Sequence, residues 1–368
     1  MLHVQKYLRE YGLNSLIKEF GIKAKIYDDR VVLNYKITGG NKFHPIIKEC
    51  RGLILSLVSH PKYEVLSRTF DRFFNLNEGD DKDTFNWDNC IVFNKLDGSL
   101  MSVYADSYGK WNVSTRGTAF AEATTPMGKP YRELFDTAIN NMPLEHFCKN
   151  LYTDHTYIFE LTSSENRIVT RYNETNITLL GIRNNITGDF IDYSIVNSMI
   201  YYMFPEECSV ALPDIYNLSN PNDIVNFVES MEQLQEGVVC FDNETQTRIK
   251  MKNSQYVAIH RLKGEGESSI KSLVKIVFDG EYEEFLIYFP EYTENIMKYI
   301  NAYNNFREYI DILWNNNKYI DNQKEFALNV KDTIISSILF SLKKGNNIDN
   351  IIDNITISKK IELLTFFL

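Results

Sequence analysis

Short apolar runs separated by turn signals occupy residues 26–262, and this alternation constrains the fold more than any other feature of the sequence. The runs are rich in β-branched and aromatic residues, and turns such as Asp97-Gly98 and Thr187-Gly188-Asp189 punctuate them. Many short strands with few helices indicate an α+β domain whose sheets are mostly antiparallel. The predicted strands are CRGLILSL, NCIVFNK, LMSVYA, HTYIFEL, ITLLGIR, EGVVCF and TRIKMK, and the predicted helices lie over residues 3–20, 129–150 and 190–203.

From residue 263 onward the apolar residues recur at helical intervals instead. The segment GEGESSIKSL predicts a linker that leads into a helix, and the Asn-rich stretches 314–322 and 346–354 predict loops between helices. We therefore expect an α+β domain over residues 1–262, followed by a small all-α domain over residues 263–368. The apolar stripes that predict its helices are Ile296, Ile300, Tyr303, Phe306, Ile310 and Leu313, then Ile334, Ile335, Ile338, Leu339 and Leu342, then Ile357, Ile361 and Leu364.

Charge and cysteine content narrow the class of protein. The chain carries 39 basic and 49 acidic side chains, and this net charge of −10 argues against a broad non-specific coat on nucleic acid while allowing a local basic cleft. No run approaches the ~20 apolar residues of a membrane span, and the charged N-terminal segment does not resemble a signal peptide. The five cysteines form no CxxC pair, so we expect reduced thiols in an intracellular protein without a membrane anchor.

The sharpest local signal is Lys95-Leu96-Asp97-Gly98-Ser99-Leu100, which follows the apolar strand Ile91-Val92-Phe93. Lys95 would lie where a buried strand opens into a turn, with one dry and one accessible side. Desolvation and nearby cations favour the neutral amine, which is a nucleophile. An ordinary hairpin that ends in a solvated lysine has the same short pattern.

A second signal is the alternation of cations in Thr247-Arg-Ile-Lys-Met-Lys. In a strand, Arg248, Lys250 and Lys252 share one face, and Ile249 and Met251 share the other. Three cations on one face repel each other, and a bound phosphate would relieve this repulsion. A solvated strand face is the alternative.

Two glutamates and three arginines stand in similarly apolar surroundings. Glu160 follows Tyr-Ile-Phe in a strand, and Glu236 opens another strand. A carboxylate in such a position can bind a metal or a ribose. The alternatives are a glutamate that faces water or one that pairs with a nearby basic residue. Arg51, Arg72 and Arg116 are each candidates for structural ion pairs when taken singly. Together with an inward lysine, these residues are typical of a site for a nucleoside triphosphate and a metal.

Other phosphate and metal sites have no support in the sequence. There is no GxxxxGK[ST] and no GxGxxG after a strand, so neither a P-loop nor a Rossmann site is indicated. The six histidines are dispersed and form no HExxH pair, so their spacing does not indicate a zinc site.

The motifs, in their order along the chain, resemble those of the covalent nucleotidyltransferases, which include DNA ligases, RNA capping enzymes and RNA ligases. The similarity is greatest to the RNA ligase 1 type of T-even bacteriophages, and it spans residues 28–262. It implies that Lys95 carries AMP and that Glu160 and Glu236 coordinate a metal. It also implies that ATP and its phosphates contact Arg51, Arg72, Arg116, Glu160, Glu236, Lys250 and Lys252. The motifs are CRGLIL, FFNLNE with Phe74, KLDGSL, FELTSSENRIV, EGVV with Gly237, and RIKMKNSQYVAIH with Tyr256.

The reaction implied by this resemblance joins a 5′-phosphate and a 3′-OH of RNA through a lysyl–AMP and an RNA–adenylate. The implied cofactors are ATP and Mg²⁺, with Mn²⁺ as a substitute. The implied partners are RNA ends, nicked tRNA among them, with functional pairing to a polynucleotide kinase/phosphatase in RNA repair.

Two positions and the tail depart from the family pattern. Arg72 and Arg116 stand where this ligase type usually has lysine, which keeps the charge but changes its geometry. The helical tail replaces the small β-barrel expected of a DNA ligase or a capping guanylyltransferase, which remain alternatives, as does a non-catalytic nucleic-acid-binding relative. An acidic cluster, Asp279, Glu281, Glu283 and Glu284, opens the tail and is predicted to be a solvated run at a helix start, with a metal site as the alternative.

Overall fold

A computed structural model describes residues 1–36, 41–79, 81–125, 128–166, 168–232, 234–257, 269–280, 282–283, 286 and 293–368. The chain divides into two compact units, Met1–His260 and Arg261–Leu368. The domain boundary predicted after residue 262 lies within 258–268, outside the described residues. None of the helices in the described ranges has both the length and the apolar character needed to cross a membrane.

Three sheets form the framework of the first unit. Their strands are β1 Lys23–Ile26, β2 Arg30–Asn34, β3 Arg51–Ser56, β4 Val65–Ser67, β5 Phe74–Asn75, β6 Cys90–Asn94, β7 Ser99–Ala105, β8 Trp111–Thr115, β9 His155–Thr162, β10 Asn176–Asn184, β11 Ile215–Tyr216, β12 Gly237–Asp242 and β13 Arg248–Lys252. The first sheet has the order β1-β2-β3-β4, the second β10-β9-β7-β8 and the third β11-β6-β12-β13-β5. All seven predicted strands are present.

Pairing within these sheets is antiparallel except at one edge. There β5 runs parallel to β13, with Phe74 opposite Ile249 and Asn75 opposite Lys250. This pairing brings the FFNLNE motif beside the strand of alternating cations. The predicted α+β class with mostly antiparallel sheets is confirmed.

Seven helices whose two ends both lie in the described part of the first unit accompany these sheets. They are α1 His3–Phe20, α2 Pro45–Glu49, α3 Asp81–Thr84, α4 Tyr131–Ala138, α5 Leu144–Phe147, α6 Tyr193–Met203 and α7 Pro221–Ser230. Separate apolar clusters form beneath them, because each sheet buries one face against its own helices. The helix predicted over 129–150 is two helices, since Asn140 and Asn141 adopt positive φ between them and Pro143 follows.

The second unit is helical, as its apolar spacing predicts. Its helices are α8 Ser269–Asp279, α9 Thr293–Asn317, α10 Gln323–Val330, α11 Ser336–Lys343, α12 Ile348–Asp353 and α13 Ile357–Phe367. Their apolar faces enclose a core of their own.

The prediction that the Asn-rich stretches are loops is confirmed only for parts of each stretch, such as residues 318–322 between α9 and α10. Residues 314–317 continue α9, and residues 348–353 form α12. At the start of α12, the Asn347 side chain accepts hydrogen bonds from the amides of Asp349 and Asn350, so asparagine acts as a helix cap. Ile352 then buries against the helical core, and this burial outweighs the weak helix propensity of asparagine.

Candidate functional site

The predicted Asp97-Gly98 turn is not a hairpin turn but a crossing between two sheets. β6 belongs to the five-stranded sheet and β7 to the sheet of β10-β9-β7-β8, so the chain changes sheets between Lys95 and Ser99. Gly98 is required at this crossing, because a Cβ there would lie 2.4 Å from the Leu161 carbonyl oxygen. The interpretation of Lys95 as a simple solvated hairpin end is therefore excluded.

Asp97 fixes this crossing from within. Its side chain is buried, and one carboxylate oxygen accepts a hydrogen bond from the Tyr256 hydroxyl at 2.6 Å. The other oxygen accepts hydrogen bonds from the backbone amides of Val169 and Thr170, each at 2.7 Å. Burial and the nearby carboxylates Glu236 and Asp97 raise the pKa of Tyr256, so this phenol remains a donor. Asp97 therefore connects the KLDGSL motif of Lys95 to two motifs that are distant in sequence, FELTSSENRIV through Val169 and RIKMKNSQYVAIH through Tyr256.

Lys95 lies directly against the buried carboxylate of Glu236. Its Nζ is 2.7 Å from Glu236 Oε2, and the other oxygen, Oε1, is 3.4 Å from Lys252 Nζ. The Lys95 side chain is 22% exposed, so it has both the dry and the accessible side that the sequence predicts. Only glycine fits at position 237. Its φ is 134°, and a Cβ added there would lie 2.1 Å from the Met251 carbonyl oxygen.

Glu160 lies on β9 at the same crossing. The Gly98 amide donates a hydrogen bond to Glu160 Oε1 at 3.1 Å. Burial raises the pKa of Glu160 to about 7, with Glu236 adding to the rise and the Lys95 and Arg51 charges opposing it. This carboxylate is therefore poised to change its charge near neutral pH.

An open cavity of about 580 Å³ connects these groups. Its walls come from all three sheets and the segments between them. Six of the predicted site residues line it, namely Arg51, Lys95, Arg116, Glu160, Lys250 and Lys252. Glu236 and Arg72 do not line the cavity themselves. Glu236 contacts the lining residue Lys95, and Arg72 contacts the lining residue Tyr35.

Tyr35 is a cavity residue that the sequence analysis missed. The guanidinium of Arg72 lies 4.3 Å from its ring centroid, and that of Arg116 lies 4.8 Å away. Burial opposes ionisation of this phenol, but the positive charges of Arg116, Arg51, Arg72 and Lys250 outweigh it and lower the pKa of Tyr35. No sequence signal marks Tyr35, because the arginines that surround it come from three other segments.

Arg248 differs from the two lysines that share its strand face. Its guanidinium lies 3.9 to 4.4 Å from the ring centroids of Phe190, Phe241 and Phe70. Burial, with the nearby Arg183 charge, holds the pKa of Arg248 well below its ordinary value. As predicted, the three cations share one face of the strand, and Ile249 and Met251 are buried on the other. Arg248 packs among aromatic rings, so for this residue the alternative of a solvated strand face is excluded.

The donor set suits a metal that also binds phosphate and water. Within the described ranges, no group of three or more His, Cys, Asp and Glu side chains could hold a metal. The protein can thus offer Glu160 and Glu236 at most at this cavity, and Mg²⁺ commonly takes one or two carboxylates together with phosphate oxygens. In the predicted acidic cluster, Glu281 and Glu284 lie outside the described residues.

The fold and this lysine-centred cavity agree with the covalent nucleotidyltransferase class that the motifs predict. Residues 49–256 match the family model for RNA ligase, of the T4 RNA ligase 1 type. The chain belongs to this RNA ligase family, which confirms the resemblance found from the motifs.

Individual relatives agree with this assignment. The putative bifunctional polynucleotide kinase/RNA ligase of Autographa californica nuclear polyhedrosis virus is 34% identical over 308 residues, or 79% of this chain and 42% of the relative. An RNA ligase of Rhodothermus phage RM378 is 30% identical over 204 residues, or 47% of this chain and 45% of the relative. The chain thus spans less than half the length of both relatives. A solved archaeal ATP-dependent RNA ligase shares the fold, with a TM-score of 0.51 and 13% identity over 94% of this chain and 81% of that one.

Proposed function

We propose that the chain is an ATP-dependent RNA ligase that joins 5′-phosphate and 3′-OH ends through AMP carried on Lys95. The observation that carries this proposal is the position of Lys95 in a cavity lined by Arg51, Arg116 and Lys250. Such a cavity can accept a triphosphate. At the sheet crossing, Lys95 Nζ lies 2.7 Å from the buried Glu236 carboxylate, whose other oxygen lies 3.4 Å from Lys252 Nζ. Membership of the RNA ligase family supports the choice of RNA over the DNA ligase and capping alternatives.

The first step forms a bond between Lys95 Nζ and the α-phosphorus of ATP, and pyrophosphate leaves as the bridging P–O bond breaks. Lys95 must first lose a proton, because only the neutral amine has a free electron pair. The 2.7 Å contact makes Glu236 the acceptor that we assign to this proton. The lysine is regenerated when an oxygen of an RNA 5′-phosphate attacks the same phosphorus and the P–N bond breaks. The 3′-OH of the second RNA end then attacks the activated 5′-phosphate, and AMP departs.

Each of these steps places negative charge on non-bridging phosphate oxygens. We assign stabilisation of this charge to Lys250, Lys252, Arg51 and Arg116, and outer phosphate contacts to Arg72. Glu160 and Glu236 are the residues that would hold Mg²⁺, which neutralises phosphate charge when bound; Mn²⁺ has the same ligand preferences. The arginines at 72 and 116 present planar forks rather than point charges, which favours bidentate phosphate contacts.

The substrate must reach the enzyme with a 5′-phosphate. We therefore propose functional pairing with a polynucleotide kinase/phosphatase in RNA repair, with nicked tRNA as one substrate. A relative named as a putative bifunctional kinase/RNA ligase supports this pairing. An intracellular location follows from the need for ATP and fits the five unpaired cysteine thiols.

We further propose that residues 1–262 fold independently and carry the adenylylation chemistry, while residues 263–368 select among RNA substrates. The division into units Met1–His260 and Arg261–Leu368, each with its own apolar core, supports this division of labour.

The proposal predicts that Lys95→Ala abolishes covalent labelling by α-labelled ATP, because Lys95 supplies the attacking amine in the proposed first step. Lys110→Ala removes an exposed lysine in the β7–β8 turn and is the matched control. Sealing of RNA that already carries a 5′-adenylate should partly survive in Lys95→Ala, because that step follows the nucleophilic attack. Labelling that persists in the mutant would refute the assignment of Lys95, and labelling of the wild type by GTP instead of ATP would favour a capping enzyme.

A further inference from the structure

A group of aromatic and cationic side chains lies next to the cavity, and most of it has no role in the chemistry above. Phe43 is 43% exposed, and its ring centroid lies 4.8 Å from that of Phe74, which is almost completely buried. Lys42, Lys48 and Arg72 surround this pair of rings. We call these five residues the Phe43 patch.

Three cations approach the two rings closely. Lys42 Nζ lies 5.3 Å from the Phe43 ring centroid, and Lys48 Nζ lies 5.8 Å from that of Phe74. The Arg72 guanidinium lies 5.4 Å from the Phe74 centroid. An aromatic surface edged by positive charge is the combination with which proteins hold single-stranded nucleic acid.

Neighbouring residues hold the patch in place. Lys42 Nζ is 3.3 Å from Glu78 Oε1, and the Asn75 side-chain amide donates to the other oxygen of Glu78 at 2.7 Å. The Arg72 amide donates to the Lys48 carbonyl oxygen at 2.8 Å. The patch therefore brings three basic side chains against two rings in a chain whose net charge is −10.

The patch is continuous with the cavity. Arg72 contacts the Phe74 ring and also the Tyr35 ring, at 4.3 Å from its centroid. Tyr35 lines the cavity that contains Lys95. A strand whose end lies at Lys95 could therefore continue over Arg72 onto Phe43.

We propose that the Phe43 patch binds the single-stranded RNA that adjoins the end being joined. One base stacks on the exposed face of Phe43, and the backbone phosphates on either side pair with Lys42 and Lys48. This proposal rests on the proposed function, from which RNA is taken as the ligand. The phosphates of ATP have the same chemistry, so the test separates binding of RNA from reaction with ATP.

The test uses the full chain with Phe43→Ala and measures two quantities. Fluorescence anisotropy with a labelled single-stranded RNA should show about tenfold weaker binding, as expected for the loss of one base stack. Labelling of the protein by α-labelled ATP without RNA should stay within about twofold of the wild type. Phe43→Tyr keeps the ring and should bind RNA normally, whereas Phe43→Leu keeps the cover over Phe74 and should bind as weakly as Phe43→Ala. Tyr108→Ala, at a tyrosine that is 76% exposed in the β7–β8 turn, is the matched control.

Lys48→Ala tests the phosphate contact separately. Loss of one phosphate contact should lower the slope of log K against log salt concentration by about 0.7 for a single strand. Unchanged RNA binding by both Phe43→Ala and Phe43→Leu would overturn the proposal. An equal loss of ATP labelling and RNA binding would also overturn it, because the patch would then serve the triphosphate. If the wild type forms no lysyl–AMP, the proposed function fails, while the anisotropy measurement still decides whether the patch binds RNA.

Discussion

Replacement of Asp97 by alanine should separate structural from chemical roles beside Lys95. Asp97 is 3% exposed, and it accepts hydrogen bonds from the Tyr256 hydroxyl and from the amides of Val169 and Thr170. Bonds to a charged acceptor contribute about 1.5–3 kcal/mol each, so three of them amount to roughly 4.5–9 kcal/mol before other terms. Removing a buried carboxylate also relieves its desolvation cost, which offsets part of that loss. We expect Asp97→Ala to lower the free energy of unfolding by about 3 kcal/mol, a large part of the ~5–15 kcal/mol typical of a domain.

The measurement is thermal unfolding of the full chain, followed by circular dichroism. For a unit of this size, about 3 kcal/mol corresponds to a fall in Tm of roughly 6–12 °C. Tyr256→Phe removes one of the three donors and should cost about 1.5 kcal/mol, or roughly 3–6 °C. The double variant should be less destabilised than the sum of the two, because the residues share one hydrogen bond. Asp189→Ala removes an exposed aspartate and is the control.

The reasoning fails if Asp97→Ala melts within about 2 °C of the wild type. It also fails if the effects of Asp97→Ala and Tyr256→Phe add fully. Loss of ATP labelling without any loss of stability would instead assign Asp97 to the chemistry.

Three further predictions concern the cavity and the tail. The pKa of Glu160 rises from 4.5 to about 7 on folding, so between these pH values the folded state binds a proton that the unfolded state has lost. The free energy of unfolding should therefore fall as pH rises through that interval. Urea unfolding of Glu160→Gln should show a smaller fall, because glutamine does not titrate. Lys250→Ala and Lys252→Ala should each slow formation of lysyl–AMP by about 10²–10³. Arg248→Ala should chiefly lower Tm, because it removes the aromatic contacts of that side chain. Equal, mild effects of all three variants on labelling would contradict the phosphate roles of the lysines. A fragment of residues 1–262 should unfold cooperatively and still label with AMP but lose discrimination between tRNA-like and linear RNA ends, and a soluble fragment that does not label would show that the tail completes the site.

Most elements were predictable because their signals are local. The period-two pattern of Arg248–Lys252 predicts a strand with one cationic face, and burial of Ile249 agrees with it. The spacing of apolar residues similarly predicts α9. The helix α7 was missed, although Asn220 before Pro221 is a recognisable start signal and the Asn220 side chain caps the helix.

The contacts that build the site were not predictable because they join segments far apart in the chain. The parallel pairing of β5 with β13 joins residues about 175 positions apart in sequence, and no local pattern specifies it. The contact of Lys95 with Glu236 and the position of Tyr35 between two arginines depend on the same long-range packing. The motifs select candidate site residues, but the contacts between those residues depend on the fold.

The crossing at Asp97-Gly98 shows how one dipeptide can carry two different signals. Asp-Gly favours a tight turn, and the sequence alone cannot distinguish a hairpin from a change of sheet. The distinction lies in residues elsewhere: the Leu161 carbonyl oxygen approaches Gly98 too closely for any side chain, and Tyr256 donates to Asp97. In a hairpin within one sheet, Asp97 would face solvent and Lys95 would lie at the edge of that sheet. Because the crossing buries Asp97 instead, Lys95 is fixed between two sheets, where a buried carboxylate reaches its amine from one side and the cavity opens on the other.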